Sequence, residues 1–146
     1  MNYETILAST VIAGIVSALI SWWNVERRIT IENITKERAK WRDKIRELTA
    51  EAITALQNSD EIKLTIIKSS FKLHLNPTEK EDQAIVDLID LNENINEDKI
   101  KELSTRVSLL LKHDWERAKQ EAKPFLLRWK RVKRLNYEEF IKEKNR

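Results

Sequence analysis

The densest set of side chains that could do chemistry is a basic run near the C-terminus, Lys123 to Arg134 (KPFLLRWKRVKR), which contains no acidic residue. Basic residues three apart lie on one side of a helix, so Arg128, Arg131 and Arg134 would form a continuous cationic surface beside Trp129. Guanidinium groups bind phosphate oxygens bidentately, and an indole ring can stack on a base. The pattern predicts a site for an anionic ligand, made of Arg128, Trp129, Lys130, Arg131, Lys133 and Arg134.

The same basic run also fits a surface that balances acidic residues elsewhere in the chain or that contacts a membrane. Residues 59 to 104 carry six basic and eleven acidic side chains, whereas residues 105 to 146 carry thirteen basic and six acidic ones. This asymmetry predicts a contact between the C-terminal third and a polyanion or an anionic surface. Internal pairing of the two regions is the alternative.

Residues that could catalyse a reaction are few and poorly placed. The chain contains no Cys and one Gly, which excludes thiolate nucleophiles, cysteine metal sites and glycine-rich phosphate loops. His74 and His113 lie far apart and in no metal-ligand spacing, so we expect both to be exposed or capping groups. Asp114 and Glu116 are two residues apart, and such residues do not face each other on a helix. We therefore predict a protein that is not an enzyme and that needs no cofactor or metal.

The elements that must position these residues are helices, and the first helix has the character of a membrane span. Thr5 to Val25 are 21 consecutive uncharged residues, which as a helix reach roughly 30 Å, the thickness of a hydrocarbon core. Tyr3 at one end and Trp22 with Trp23 at the other suit the headgroup layers. A cleaved signal peptide would need basic side chains before the run, but the charged side chain that precedes it is the acidic Glu4. Because the nearby Lys and Arg residues all follow the run, we expect the C-terminal side to be cytoplasmic.

Within this segment small and large residues alternate in pairs, and the period of four places the small ones on one helix face. Such a face lets helix backbones approach closely in lipid, and hydroxyl groups can hydrogen-bond across the contact. We therefore predict a homo-oligomer, with a monomeric anchor as the alternative. The predicted oligomerisation face consists of Ser9, Thr10, Ala13, Gly14, Ser17, Ala18 and Ser21.

The region after the span contains no Gly or Pro before Pro77, so the first helix can continue beyond the membrane. Basic residues on its polar sides, among them Arg42, are expected to be exposed, either close to anionic lipid headgroups or simply in contact with water. Residues 62 to 75 fit both a helix and strand alternation, and we choose helix because no turn or second strand is visible. The predicted core stripe of the first helix comprises Ile34, Trp41, Ile45, Leu48, Ala52 and Ala55.

Three further helices are predicted in the second half of the chain. Asn76 as N-cap and Glu79 as capping-box acid are typical of a helix start. The next helix follows Asn96 and ends or kinks at Pro124, and the last one covers the basic run, from about Phe125 to Lys142. The predicted core positions are Ile85, Leu88, Ile89, Ile100, Leu103, Val107, Leu110, Leu111, Trp115 and Ala118.

These features predict an all-α fold in which an N-terminal transmembrane helix precedes a small cytoplasmic helical bundle. The scarcity of Gly and Pro and the abundance of good helix formers favour this class. The predicted domains are a transmembrane anchor at residues 1–28 and a cytoplasmic helical domain at residues 29–146.

Three segments carry a resemblance to known proteins: LHLNPTEKEDQ (Leu73 to Gln83), LLKHDWERAKQEA (Leu110 to Ala122) and AKWRDKIREL (Ala39 to Leu48). Behind one N-terminal span, they resemble a group of short bacterial single-span membrane proteins of unassigned function, which implies a place in the bacterial inner membrane. The layout also resembles CRISPR-associated membrane effectors, which bind cyclic oligoadenylate through a small cytoplasmic domain and act on the membrane once oligomeric. This likeness of layout implies a role in antiviral defence and assigns no ligand-binding residue.

The function expected from these patterns is that of a non-enzymatic, membrane-anchored oligomer. Its partners would be membrane lipid, further copies of the chain and an anionic signal such as a cyclic oligonucleotide, which the basic cytoplasmic domain would bind. The alternative is a membrane-tethered scaffold or phage-exclusion factor that binds a protein partner.

Overall fold

The computed structural model describes residues 3–90, 97–123 and 132–146, and of residues 4–9, 27 and 30 it describes the backbone only. These parts of the chain are mostly helical and contain no strand, which confirms the all-α prediction. The helices are α1 (Tyr3–Gln57), α2 (Glu61–His74), α3 (Lys80–Asp87), α4 (Glu97–Ala122) and α5 (Tyr137–Lys144). The chain divides into two compact units, residues 1–38 and residues 39–146, and α1 runs through the boundary between them.

The first unit is the N-terminal part of α1, where the membrane anchor was expected at residues 1–28. Within the part of the chain that the structure describes, no helix combines the length and the apolar character that a membrane span requires. The uncharged run begins at Thr5, and the side chains of residues 5–9 lie outside the described set.

The second unit is a helical bundle around one hydrophobic core. The C-terminal part of α1 contributes the predicted stripe from Trp41 to Ala55, while Ile34 is exposed and takes no part in this core. Because α1 has no Gly or Pro after Gly14, its C-terminal part is an uninterrupted helix that carries this stripe. The side chains that bury most volume in the core are Ile45, Leu56, Ile67, Phe71, Ile85, Ile89 and Leu103.

The ambiguous region after α1 is a helix, as we chose from the sequence. The backbone at Ser59 has a φ of 52°, which turns the chain out of α1. The Asp60 carboxylate then accepts a hydrogen bond from the backbone N–H of Lys63 at 3.0 Å and so caps α2. The buried face of α2 consists of Leu64, Ile67 and Phe71.

The third helix begins later than predicted. Asn76 does not cap it; its side-chain oxygen instead accepts hydrogen bonds from the backbone N–H and the hydroxyl of Thr78, which forms a local turn. The residue that precedes α3 is Glu79, and α3 extends only to Asp87. The predicted core positions are nevertheless correct, because Ile85 and Ile89 are buried and Leu88 packs against the core.

The described part of the fourth helix agrees with its predicted extent, and Leu103, Val107, Leu110 and Leu111 take their predicted core positions, whereas Ile100 and Ala118 are only partly buried and lie outside the core. It starts at Glu97 and ends at Ala122, while the expected cap Asn96 and breaker Pro124 lie outside the described residues. Trp115 was expected in the core but is half exposed.

The last predicted helix is wrong at residues 132–136 and correct from Tyr137 to Lys142. Residues 132–136 are not helical, and α5 starts only after Asn136, whose side-chain oxygen caps the backbone N–H of Glu139 at 2.7 Å. A capping side chain of this kind favours a helix start at its own position. The part of the prediction from Phe125 to Arg131 lies outside the described residues.

The burial pattern of α2 predicts a large difference between two neighbouring apolar positions. Phe71 is fully buried, so Phe71→Ala should lower the free energy of unfolding by about 3–5 kcal/mol. Leu73→Ala is the matched control: this side chain is 85% exposed, and the change should cost less than about 0.5 kcal/mol. Urea unfolding of the full chain in dilute solution with mild detergent would measure both. Equal losses for the two variants would contradict the described core.

Candidate functional site

The structure describes two of the six residues that were predicted to bind an anionic ligand. Lys133 and Arg134 lie in the segment that leads to α5, whereas Arg128, Trp129, Lys130 and Arg131 lie outside the described residues. Both described cations are paired with acidic side chains of the chain itself. Lys133 Nζ lies 3.1 Å from a carboxylate oxygen of Glu139 and is largely exposed.

Arg134 makes the more buried of these two ion pairs. Its Nη1 atom lies 2.6 Å from Oδ1 of Asp82, and the two side chains are only 13% and 7% exposed. The other carboxylate oxygen of Asp82 accepts the backbone N–H of Asn76 at 2.9 Å. A carboxylate at this depth needs such charge-assisted partners, because burying it unpaired would be costly. The Arg134 guanidinium is therefore engaged in holding the C-terminal segment on α3.

The residue beside Asp82 anchors a second arginine in the same way. Glu81 Oε2 lies 2.8 Å from Nη1 of Arg106, whose Nε also donates to Glu102 on α4. The Arg106 guanidinium stacks over the ring of Tyr137 with its carbon 4.4 Å from the ring centre. The backbone N–H of Tyr137 in turn donates to Glu81 at 3.4 Å.

These contacts form one polar clamp, which we define as Glu81, Asp82, Arg106, Arg134 and Tyr137. It joins the first turn of α3 to α4 and to the start of α5. Arg106 and Arg134 belong to the basic C-terminal third of the chain, and each pairs with an acidic side chain of the middle region. These two pairs are the internal pairing that the sequence analysis gave as its alternative. The clue in the sequence was the adjacent acids Glu81 and Asp82 just before the apolar core positions of α3.

The two histidines are less exposed than expected. His74 is partly buried, and its ring Nδ1 lies 2.8 Å from the carbonyl oxygen of Ser70, where it donates a hydrogen bond. His113 is also partly buried, and its Nδ1 finds no hydrogen-bond partner among the described residues. Burial, the Arg134 guanidinium and the Arg117 guanidinium lower the pKa of His113, while nearby carboxylates act in the opposite direction. The neutral imidazole is thus favoured at neutral pH.

The acidic and basic side chains around Trp115 form ion pairs with one another. Arg42 was expected to be exposed, but its Nη1 donates to Asp114 at 2.8 Å and its side chain is largely buried. Arg42 and Lys119 lie over the Trp115 ring at 5.7 and 5.3 Å from its centre, a cation–π arrangement that holds the ring at the surface. Lys119 also pairs with Glu116 at 3.0 Å.

A shallow pocket of about 280 Å³ lies beside the clamp, where the end of α2 and the following turn meet α3. Its lining includes the apolar side chains Leu75, Pro77 and Val86 together with Asp82. Among the described residues there is no group of three or more potential ligands that could hold a metal ion. The other residues that line the pocket are Lys72, Asn76, Gln83 and Asp87.

The predicted oligomerisation face lies on α1. Thr10, Ala13, Gly14, Ser17, Ala18 and Ser21 are all exposed, and the side chain of Ser9 lies outside the described set. A Cβ atom added at Gly14 would meet nothing within 4 Å. The large residues of the opposite side, such as Ile12 and Leu19, are equally exposed. The small face therefore stays a prediction, with space for a partner helix along it.

Comparison with known proteins finds no protein-family model, no curated protein and no solved structure that matches this chain. The resemblances drawn from the sequence accordingly stay predictions.

The clamp predicts that Arg134 is needed for stability. Arg134→Ala would leave the buried Asp82 carboxylate without its charged partner and should cost about 1–3 kcal/mol of the free energy of unfolding. Lys133→Ala is the matched control, since that side chain is 83% exposed and its loss should cost less than about 0.5 kcal/mol.

Urea unfolding of the two variants and of Asp82→Asn would decide the point, and a double-mutant cycle of Arg134→Ala with Asp82→Asn should show coupling. An Arg134→Ala variant as stable as the parent chain would mean that this arginine is available for other tasks, ligand binding included.

Proposed function

We propose that this protein is a non-enzymatic, membrane-tethered binding module. The N-terminal part of α1 inserts into lipid, the unit of residues 39–146 stays on the cytoplasmic side, and the protein acts by association with a partner. This is the scaffold function that the sequence offered as its alternative.

The observation that carries the proposal is the exposed apolar surface of α1 between residues 11 and 25. Large apolar side chains there are exposed on all sides of the helix, and no charged residue interrupts the stretch. Monomeric soluble proteins rarely expose so continuous an apolar surface, because water disfavours it. The exposed side chains are Val11, Ile12, Ile15, Val16, Leu19, Ile20, Trp22, Trp23 and Val25.

Two further features support the direction and the chemistry of the proposal. Trp22 and Trp23 precede the first basic residues of α1, a sequence typical of the end of a membrane-embedded helix on the cytoplasmic side. Several ion pairs of the second unit join distant segments of its chain, among them Arg42 with Asp114 and Arg134 with Asp82. Because these pairs are largely buried, they hold segments of the unit together, which suits a structural role.

Membrane insertion is tested by alkaline carbonate extraction of cell membranes. The full chain should stay in the pellet, and a cytoplasmic reporter fused after Arg146 should be active. Ile15→Lys combined with Leu19→Lys should release the protein, because two charges within the hydrocarbon core are expensive. Leu73→Lys, which adds a charge at an exposed apolar residue of α2, is the control and should leave the protein in the pellet. Release of the unaltered chain would contradict the proposal.

A second candidate function is the binding of an anionic signal such as a cyclic oligonucleotide. The observation that favours it is the composition of residues 128–131, where Arg128, Lys130 and Arg131 flank Trp129 without an acidic residue in the run. With Arg134 engaged by Asp82, these three cations would carry the binding.

Titration of the full chain in detergent with a fluorescent cyclic oligoadenylate tests this candidate. Arg128→Ala and Arg131→Ala should each lower affinity by about 1–3 kcal/mol, and binding should weaken as salt rises. Lys133→Ala, at a side chain paired with Glu139, is the control and should have little effect. Absence of saturable binding at low salt would remove the signal-binding candidate and leave the scaffold.

A further inference from the structure

Helix α2 carries a second apolar stripe that the core does not use. Ile62, Ile66 and Leu73 are 78%, 62% and 85% exposed, and with Ser69 between them they follow the spacing of four, three and four residues that defines one helix face. Leu64, Ile67 and Phe71 are buried on the opposite side. The fold is therefore complete without the outer stripe, although the stripe is as apolar as a core face.

The polar side chains within this stripe are already satisfied. The hydroxyl of Thr65 donates to the backbone carbonyl of Glu61 at 3.0 Å, and the hydroxyl of Ser69 donates to the backbone carbonyl of Thr65 at 2.9 Å. Covering these hydroxyls would leave no donor without an acceptor, so the usual cost of burying a polar group is small here. The small Ser69 also allows another helix to approach the middle of the stripe.

The charges beside the stripe have a pattern that indicates what covers it. Glu61 and Lys72 are both exposed and lie eleven residues apart, so they stand on the same edge of the stripe at its two ends. In an antiparallel pair of identical helices, equal edges face each other. Glu61 of one chain would then meet Lys72 of the other, and a two-fold axis would produce this ion pair twice.

We propose that the outer stripe of α2 is a self-association surface on which a second copy of this chain packs antiparallel. In the register that brings Glu61 close to the partner's Lys72, Ile62 contacts the partner's Leu73, and Ile66 lies opposite the partner's Ser69. Large side chains thus meet small ones at the centre of the contact. The edge of mixed charge fits an identical helix better than an anionic lipid surface, which favours an edge of basic residues only.

This surface does not depend on the membrane insertion of α1 proposed above. It also differs from the small face of α1, because it is formed by large apolar side chains of α2. A chain without membrane insertion would retain it.

Site-specific crosslinking tests the contact, and the absence of Cys in the chain makes the labelling unambiguous. Ser69→Cys places one thiol near the two-fold axis. Ser108→Cys is the matched control, because Ser108 is an exposed serine of α4 whose hydroxyl makes the same bond to its own helix backbone. With a short thiol crosslinker and the full chain in mild detergent, Ser69→Cys should form dimers and Ser108→Cys should not.

The stripe and its register are tested by further changes in the Ser69→Cys chain. Ile66→Lys or Leu73→Lys should reduce crosslinking to the level of the control, since each adds a like charge to both sides of the contact. Glu61→Lys alone or Lys72→Glu alone should weaken association by about fivefold. The two together should restore it, because the ion pair is then re-formed with exchanged charges.

Crosslinking of Ser69→Cys no stronger than that of Ser108→Cys would overturn the proposal, as would crosslinking that survives both lysine variants. Failure of the double charge exchange to restore the dimer would overturn the antiparallel arrangement. The positions changed are exposed, and circular dichroism melting would verify that each variant folds.

Discussion

The acidic first turn of α3 is the constraint on which the C-terminal half of the structure depends. Glu81 and Asp82 each hold one arginine, and these arginines come from α4 and from the segment before α5. Apolar burial fixes α3 against the core through Ile85 and Ile89, but it is non-directional. The ion pairs add direction, because a guanidinium must meet a carboxylate within hydrogen-bonding distance and in its plane.

The clamp also explains why the basic run could be read in two ways. A helix with arginines three residues apart would present a cationic surface to a ligand. A non-helical segment can instead place a single arginine next to a buried carboxylate. The structure shows the second arrangement at Arg134, which lies in the non-helical residues 132–136. The spacing of the basic residues did not distinguish the two, because internal pairing depends on how far the segment lies from α3 in space, and no local pattern reports that distance.

Much of the fold could be predicted from local patterns, and the errors share a cause. The core stripe of α1 from Trp41 to Ala55 and the core positions Ile85, Leu88 and Ile89 were correct because three- and four-residue spacing reports burial directly. Residues 62–75 were ambiguous because α2 is apolar on two faces, so the apolar residues also fit a period of two. The exposure of Trp115 and the burial of Arg42 were predicted wrongly because Arg42 lies over the Trp115 ring and bonds to Asp114. These contacts join residues far apart in the sequence, and the periodicity of a single helix does not report such contacts. Of the candidate site, the basic character of the segment and, as the alternative, its pairing with the acidic middle of the chain were predicted, but not which residues pair.

The described part of the chain leaves two apolar surfaces outside its core. Arg42, Arg106 and Arg134 are held in ion pairs between helices, and each would lose its partner if it were turned toward a ligand. The apolar side chains of α1 from Val11 to Val25 and the outer stripe of α2 make no comparable contribution to the core. Covering these apolar surfaces gains free energy, because apolar surface is removed from water. The insertion into lipid and the pairing with a second copy that we propose would each cover one of them.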